Sequence, residues 1–528
     1  NNYACVWQYL LRCIDITRKP WSNTNALKMY KSNVIIVFII ATLASIECYK
    51  ILGIFPSLDR NNYLTYRGLF RELANRNHEV ILISHFQMQD APATYKDVLL
   101  SENPVYKGLS FESVIPNEIA RVPFETLVST KMGNDDCKML MNNHHVLHMI
   151  RTKPKFDVII VESYNSDCGI ALAANFSAPF ITFNPQPIQP WQYNRLGLSF
   201  NSASIPQSTL PYGKNPWFFD RLISFVLYHV SSWVYYVGSQ VTDHVYLYKF
   251  LGDNLPSLES IANNASLKFV NTHQSIFGGV IRPDNVGDVL FGMPSVWIPL
   301  PLDIERFINE AEHGVIYVNL GSTVKDSTLP KDKLDELLTT FDKLPMRILW
   351  KWDGANLEDL PKNVMTRRWL PQYDILRHDN VKVFITHAGI LSTIEAVEAG
   401  VPVVAVPLFG DQYGNAAAVA YDHVVNSDLK INNNKYPSQA KLVSKRWHDR
   451  PMTPMESAIY WTEYVARYNG APNLSSTFVH LPWYQQLQLD VLAFIALVVY
   501  ILSYVVYKLF SICCCCCPST EGTKRNCY

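Results

Sequence analysis

One stretch limits the fold more than any other. It reads Trp-Leu-Pro-Gln at 369–372, Phe-Ile-Thr-His-Ala-Gly-Ile-Leu-Ser-Thr-Ile-Glu at 384–395 and Gly-Asp-Gln at 410–412. Val381–Thr386 is an apolar, β-branched run of strand length. His387-Ala388-Gly389 reads as a tight turn, Ile390–Ala399 as a helix closed by Gly400, and Val401–Leu408 as a second buried strand. Strand, helix and strand in that order form a βαβ unit, which requires a parallel sheet. The helix N-terminus then lies at the carboxyl end of a strand, where open α/β sheets take their ligands. Unpaired backbone N–H groups and the positive dipole end attract phosphate there.

The side chains around that turn suit a sugar nucleotide better than a bare nucleotide. His387 can donate to a phosphate oxygen, Gly389 lets backbone approach closely, and Ser392 adds a hydroxyl in the first helical turn. Glu395, one turn further on, can accept from paired ribose hydroxyls. Trp369 offers a flat face for a base, with Gln372 three residues on. Asp411 and Gln412 supply an acceptor and an amide for vicinal sugar hydroxyls. Taken singly, a strand-tip histidine or a tryptophan before a loop is usually structural; the joint pattern is not.

With these residues the chain resembles the UDP-glycosyltransferases, in particular the membrane-bound animal branch and its insect-type members, over most of 50–507. Gly314–Ser322 (GVIYVNLGS) resembles the family's strand and glycine loop at the diphosphate, touched by Gly321 and Ser322. Asp449–Tyr464 and Gly470-Ala471-Pro472 resemble its helices before the membrane anchor. The resemblance implies that Trp369 stacks on uracil, Gln372 and Glu395 hold the ribose, His387 and Ser392 the diphosphate, and Asp411 and Gln412 the transferred sugar. It also implies an α/β GT-B fold: two Rossmann-like domains facing a cleft, plus a C-terminal transmembrane helix. The expected divisions are an acceptor-binding domain at 49–280, a UDP-sugar domain at 281–450 and returning helices at 451–490.

The ends of the chain carry apolar segments that globular packing does not call for. Lys28–Lys31 precedes the apolar run Val34–Ala44 with small residues after it, the order of a signal peptide, placed at 29–48. Residues 1–28, ahead of Met29, are expected to be a gene-model extension outside the fold. Val491–Tyr507 carries no charge, and a transmembrane helix is expected at 491–512 with Lys508, Lys524 and Arg525 on the cytosolic side. The result is a single-pass type I protein with its catalytic domains in the lumen and its 513–528 tail in the cytosol; residence in the endoplasmic reticulum comes from the resemblance. Sequons at Asn175, Asn264 and Asn473 agree with lumenal exposure. The run Cys513–Cys517 suits palmitoylation better than a single tetrahedral metal. Cys137 and Cys168 can form one disulfide. Lys plus Arg and Asp plus Glu both number 46, so no charge excess points to nucleic acid.

The first half repeats the pattern: strands at Lys50–Pro56 and Glu79–Ser84 flank a helix through Leu69–Ala74, and Phe156–Val161 is a further strand with Glu162 at its end. Sugar transfer to a hydroxyl needs a base, since an alcohol attacks only as its proton is taken. The family places a histidine in the loop after the first strand, oriented by an acid at a later strand end. Here the histidine position holds Asn62, and the acid position holds Glu162, with Asp167 the weaker match. Asparagine takes no proton near neutral pH.

Three consequences compete: acceptors needing little deprotonation (amines, thiols, ionised acids); a base from Glu162, Asp59 or His85; or transfer too slow to matter in a chain that pairs with active relatives. A second departure is a shortfall between Leu429 and Asn434 relative to the family pattern, from an omitted exon or a real truncation. The expected function is inverting transfer of a hexose, glucose by the insect-type resemblance, from a UDP-sugar co-substrate to a small lipophilic acceptor, as in detoxification. No cofactor or metal is expected, and homo- or hetero-oligomers are compatible with the chain. The rival class is a catalytically impaired UDP-sugar or lipophile binder that regulates a partner. A nucleotide-binding oxidoreductase is disfavoured, because Ser57-Leu58-Asp59-Arg60 replaces a GxGxxG turn after the first strand.

Overall fold

The computed structural model describes residues 47–101, 110–115, 117–203, 207–212, 216–273, 276, 286–288, 299–354, 357, 359–421 and 435–516. The expected signal peptide up to residue 46, residues 1–28, the 429–434 shortfall and the tail beyond 516 lie outside them; Glu47 and Cys48, the last two residues of that peptide, are described, with Glu47 accepting from Arg467 Nε at 2.7 Å.

The first domain is a seven-stranded sheet of β1 (Lys50–Ile54), β2 (Glu79–Ser84), β3 (Tyr95–Leu99), β4 (Val158–Glu162), β5 (Phe180–Asn184), β6 (Leu267–Val270) and β7 (Val286–Asp288), in the order β3-β2-β1-β4-β5-β6-β7. The second is a five-stranded sheet of β8 (Val315–Asn319), β9 (Arg347–Lys351), β10 (Val364–Arg367), β11 (Val381–Thr386) and β12 (Val403–Ala405), in the order β10-β9-β8-β11-β12. Every pairing is parallel. The central strands β1, β4 and β5 are apolar along almost their whole length, as a sheet covered on both faces requires.

In the first domain the helices that matter here are α1 (Arg60–Asn75), α2 (Glu118–Asn142), α3 (Cys168–Asn175) and α4 (Phe218–Tyr235). Asp59 caps α1 by accepting from Asn61 N at 2.8 Å. Tyr66, Leu69, Phe70 and Leu73 recur at helical spacing on its buried face. Each such side chain stabilises the fold by ~1.5–3 kcal/mol relative to exposure. In the second domain the corresponding helices are α5 (Gln372–Leu376), α6 (Ile390–Ala399), α7 (Gln412–Tyr421) and α8 (Lys435–His448). Gly400 closes α6 in the left-handed conformation at φ +70°. The next helix, α9 (Pro454–Tyr468), crosses back to the first domain. There Ala458, Ile459 and Val465 join the core of β1 and α1, and Glu463 lies 3.2 Å from His78. Last comes α10 (Leu489–Cys516), whose Leu489–Ile512 portion is 24 residues of exposed apolar surface. At about 1.5 Å per residue that length covers a bilayer's hydrocarbon core.

Three details correct or refine the sequence reading. The strand expected at Val401–Leu408 is only Val403–Ala405. Pro402 and Pro407 bracket it and can donate no ladder hydrogen bonds, and β12 pairs with β11 alone at the sheet edge. Asn264 and Asn473 are exposed, whereas Asn175 is half-buried, with its Nδ2 enclosed and without a hydrogen-bond partner. Cys137 and Cys168 do form a disulfide, which ties α2 to the start of α3. Beside it Asp167 accepts two bonds of 2.7 Å from Arg195, one of 3.0 Å from Tyr235 Oη and one of 3.0 Å from Gln240 Nε2. Asp167 is thus an internal counter-ion and takes no part in the cleft.

Two substitutions test this packing. A Cβ on Gly133 of α2 would sit 2.2 Å from the Asn165 carbonyl oxygen. Gly133→Ala is expected to cost about 1–3 kcal/mol, read as a lower thermal midpoint. Asp167→Asn removes a buried partner of Arg195 and is expected to cost about 3–5 kcal/mol; an unchanged midpoint would show that Glu259 alone suffices for Arg195.

Candidate functional site

The carboxyl ends of both sheets face one cleft of about 540 Å³. On the second-domain side, β11 ends at His387, whose ring lies between two glycines. A Cβ on Gly321 would meet His387 Nε2 at 2.8 Å, and one on Gly389 would meet it at 2.5 Å. Both positions therefore need glycine, and Gly321 adopts φ +96°. Ala388 sits at φ +62°, strained for a residue with a Cβ, and its carbonyl is held by Asn415 Nδ2 at 3.0 Å and Thr393 Oγ1 at 3.2 Å. Burial lowers the His387 pKa to about 4, so it is a neutral donor at physiological pH.

The residues read as ribose and phosphate ligands form one network. Gln372 Nε2 donates to Ser392 Oγ at 3.0 Å and to Glu395 Oε2, while its Oε1 accepts from Asn319 Nδ2 at 2.5 Å. Asn319 Oδ1 in turn accepts from Gly321 N at 2.9 Å, which ties the glycine loop to Gln372. Burial raises the Glu395 pKa to about 8. Trp369 is largely exposed on the cleft wall, its ring 5.0 Å from the Arg60 guanidinium of the facing domain. Ser322 Oγ accepts from Asn61 Nδ2 at 3.0 Å, also across the cleft.

At the other end of this wall, Asp411 accepts from Asn415 Nδ2 at 2.6 Å and from the backbone of Ile390, the first residue of α6. Burial raises the Asp411 pKa to about 6. Gln412 Oε1 accepts from Leu408 N at 2.8 Å and Phe409 N at 3.1 Å, leaving Nε2 as its donor. All ten residues read from sequence as donor ligands line the cleft.

Lys351 escaped the sequence reading. It is buried at the end of β9, lines the cleft, and its Nζ donates to Gly321 O at 2.5 Å. That places a cation beside the glycine loop, and the available signal was a lysine closing the apolar run Ile348-Leu349-Trp350. Arg121 and Glu125 of α2 were also missed; they lie at the Asp411 end of the cleft. Nothing in the α2 sequence marks them, because the site reaches them through tertiary contact alone.

On the first-domain side, Asn62 is held from three directions. Its Nδ2 donates to Glu162 Oε1 and to Ser57 Oγ, both at 3.3 Å, and its Oδ1 accepts from Gln186 Nε2 at 2.9 Å. Glu162 also accepts from Ser57 N at 3.1 Å, and burial raises its pKa to about 8. Asn62 lines the cleft, whereas Glu162 lies behind it, out of a substrate's reach. His85 is also out of reach, its Nε2 3.0 Å from the Pro56 carbonyl. Of the alternative bases, Asp59 alone lines the cleft, where it caps α1. The same wall carries Leu64, Phe124, Val128, Met132 and Trp191, an apolar surface beside the polar pair.

A model of the family described as "UDP-glucoronosyl and UDP-glucosyl transferase" matches residues 57–524. "UDP-glycosyltransferase UGT5" of Dactylopius coccus is 34% identical over 87% of this chain and 91% of its own length. "UDP-glucuronosyltransferase 1-2" of Rattus norvegicus is 28% identical over 90% of this chain and 93% of its own. Among solved structures, a Polygonum tinctorium UDP-glucosyltransferase in complex with 3,4-dichloroaniline has a TM-score of 0.51 at 17% identity, covering 80% of this chain and 98% of that one. The last likeness establishes the two-domain GT-B fold. The match over most of the chain decides the rest: this chain belongs to the UDP-glucuronosyl and UDP-glucosyl transferase family.

Proposed function

We propose that this chain transfers a hexose, glucose in the first instance, from a UDP-sugar to small lipophilic acceptors that need little or no deprotonation. The observation that carries this reading is Asn62, whose amide fills the place of a base and can take no proton. In this reading the acceptor rests on the apolar wall near Leu64 and Met132 and attacks the anomeric carbon from the face opposite UDP. The bond to the diphosphate breaks as the new bond forms, inverting the centre. The N-terminus of α6, the His387 ring and Lys351 lie where they can stabilise the departing diphosphate. A neutral amine attacks with its own lone pair and loses its proton afterwards; an ionised acid or thiolate has none to lose. No cofactor enters the scheme, and among the described residues no cluster of His, Cys, Asp and Glu is arranged to hold a metal. Anchoring by α10 in the endoplasmic reticulum membrane, with the cleft in the lumen, belongs to the same proposal.

The fully bonded amide also favours a second reading, a donor-binding protein without turnover that acts on a partner. Membranes bearing the full chain, given labelled UDP-glucose with matched phenol and aryl-amine acceptors, separate the two. Transfer to the amine in excess of the phenol supports the proposal, while no transfer with UDP binding intact supports the second reading.

Asn62→His places an imidazole beside Glu162 and is expected to raise phenol glucosylation by about 10²-fold or more, the usual contribution of a positioned base. No gain would show that the base lies elsewhere. Glu162 gives a further prediction, on stability. Its folded pKa of about 8 lies above the ordinary 4.5, so the unfolded chain binds fewer protons between those values. Its contribution is therefore fully present below 4.5 and is lost as pH rises through about 8. Glu162→Gln should flatten the fall in stability across that window, measured by denaturant titration at a series of pH values.

A further inference from the structure

At the Asp411 end of the cleft, α2 brings two charged side chains against the loop that precedes α7. Glu125 Oε2 accepts from Gly410 N at 3.1 Å, a bond across the two domains. One turn earlier, Arg121 is almost wholly buried; its guanidinium donates to Thr209 O at 2.9 Å and lies 3.4 Å from the centre of the Tyr413 ring. Its Nε makes no hydrogen bond and stands 3.9 Å from Glu125 Oε1. The domains are pressed together here, since Gly414 N donates to Ser208 O at 3.0 Å and a Cβ on Gly414 would meet that oxygen at 2.3 Å. Arg121, Glu125, Gly410, Asp411 and Gln412 therefore share one corner of the cleft.

We propose that Glu125 sets the choice of donor sugar, favouring a neutral hexose over a sugar that carries a carboxylate. The inference rests on the reading of this cleft as a UDP-sugar site and deepens it. Glu125 acts in two ways. Its carboxylate faces Arg121 and so withdraws from the cleft the one cation that this corner offers to an anionic sugar. Together with Asp411 it also presents oxygen acceptors, which suit hydroxyl groups; burial raises Glu125 to about 7 and Asp411 to about 6, so above neutral pH both are carboxylates that oppose a further one. A like-charge contact in a water-poor site is a strong discriminator. Without Glu125 the same corner would hold a buried guanidinium with an unpaired Nε, a ready partner for a carboxylate.

Competition of UDP-glucose and UDP-glucuronate against labelled UDP on the full-length membrane protein, run above the Glu125 pKa of about 7, reads this preference without requiring an acceptor. The parent should bind UDP-glucose more tightly than UDP-glucuronate. Glu125→Gln keeps an acceptor for Gly410 N but removes the charge, and should move the affinity ratio toward UDP-glucuronate by about tenfold or more. Glu125→Asp keeps the charge with a shorter reach and should retain the parent's preference, which a purely structural clamp would not. A Glu125→Gln ratio within about twofold of the parent, below what a lost like-charge contact would give, overturns the inference. So does Glu125→Asp shifting the ratio as far as Glu125→Gln. If the parent binds UDP and neither UDP-sugar, the donor-site reading itself fails, a result distinct from measurable affinities whose ratio does not move.

Discussion

Because every strand pair in both sheets is parallel, each strand delivers its following loop to the same edge of its sheet. Facing those two edges across one cleft gathers residues from distant parts of the sequence: Asn62 after β1, Gly321 after β8, His387 after β11 and Asp411 after β12. The cleft is then fixed by a few cross-domain bonds, among them Asn61 to Ser322, Glu125 to Gly410 and Ser208 to Gly414. The returning helix α9 matters for the same reason, since it runs from the second domain into the core of the first. A shift of either sheet by one strand spacing, about 4.8 Å, would part these contacts.

What was legible in the sequence follows from how local each signal is. The strand Val381–Thr386, the helix Ile390–Ala399 and the cap at Gly400 read correctly because periodicity and a left-handed glycine are written in consecutive residues. The residues read as donor ligands could be named for the same reason: most lie within one βαβ unit, and all ten line the cleft. The second strand of that unit was overestimated, because an apolar run does not reveal that two prolines confine it to a sheet edge. Lys351 and the Arg121–Glu125 pair stayed hidden, since they enter the cleft from separate elements. Asn62 and Glu162 could be named from sequence, but only the structure shows that Glu162 stands behind Asn62 and that Gln186 fills the amide's acceptor.

Burial dominates the electrostatics of the cleft. Glu162, Glu395 and Asp411 are all raised, to about 8, 8 and 6, because low-dielectric surroundings disfavour their charge more than their hydrogen bonds restore it. His387 is driven the other way by the same cause and stays neutral. Near neutral pH Glu395 is therefore largely protonated and His387 neutral, while Asp411 keeps most of its charge. In the proposed reading such a wall holds the donor by directed hydrogen bonds, with the helix terminus and Lys351 beside the diphosphate.

The central claim is that the protein supplies no base to the acceptor, so the acceptor's own ionisation governs transfer. Glucosylation of a series of nitro- and halophenols, followed against pH, tests it most directly. Each phenol should give a rate that rises with its phenolate fraction and levels off at that phenol's own pKa. A single inflection shared by every acceptor would report a titrating group of the protein, with Asp59 the first to examine, and would contradict the account.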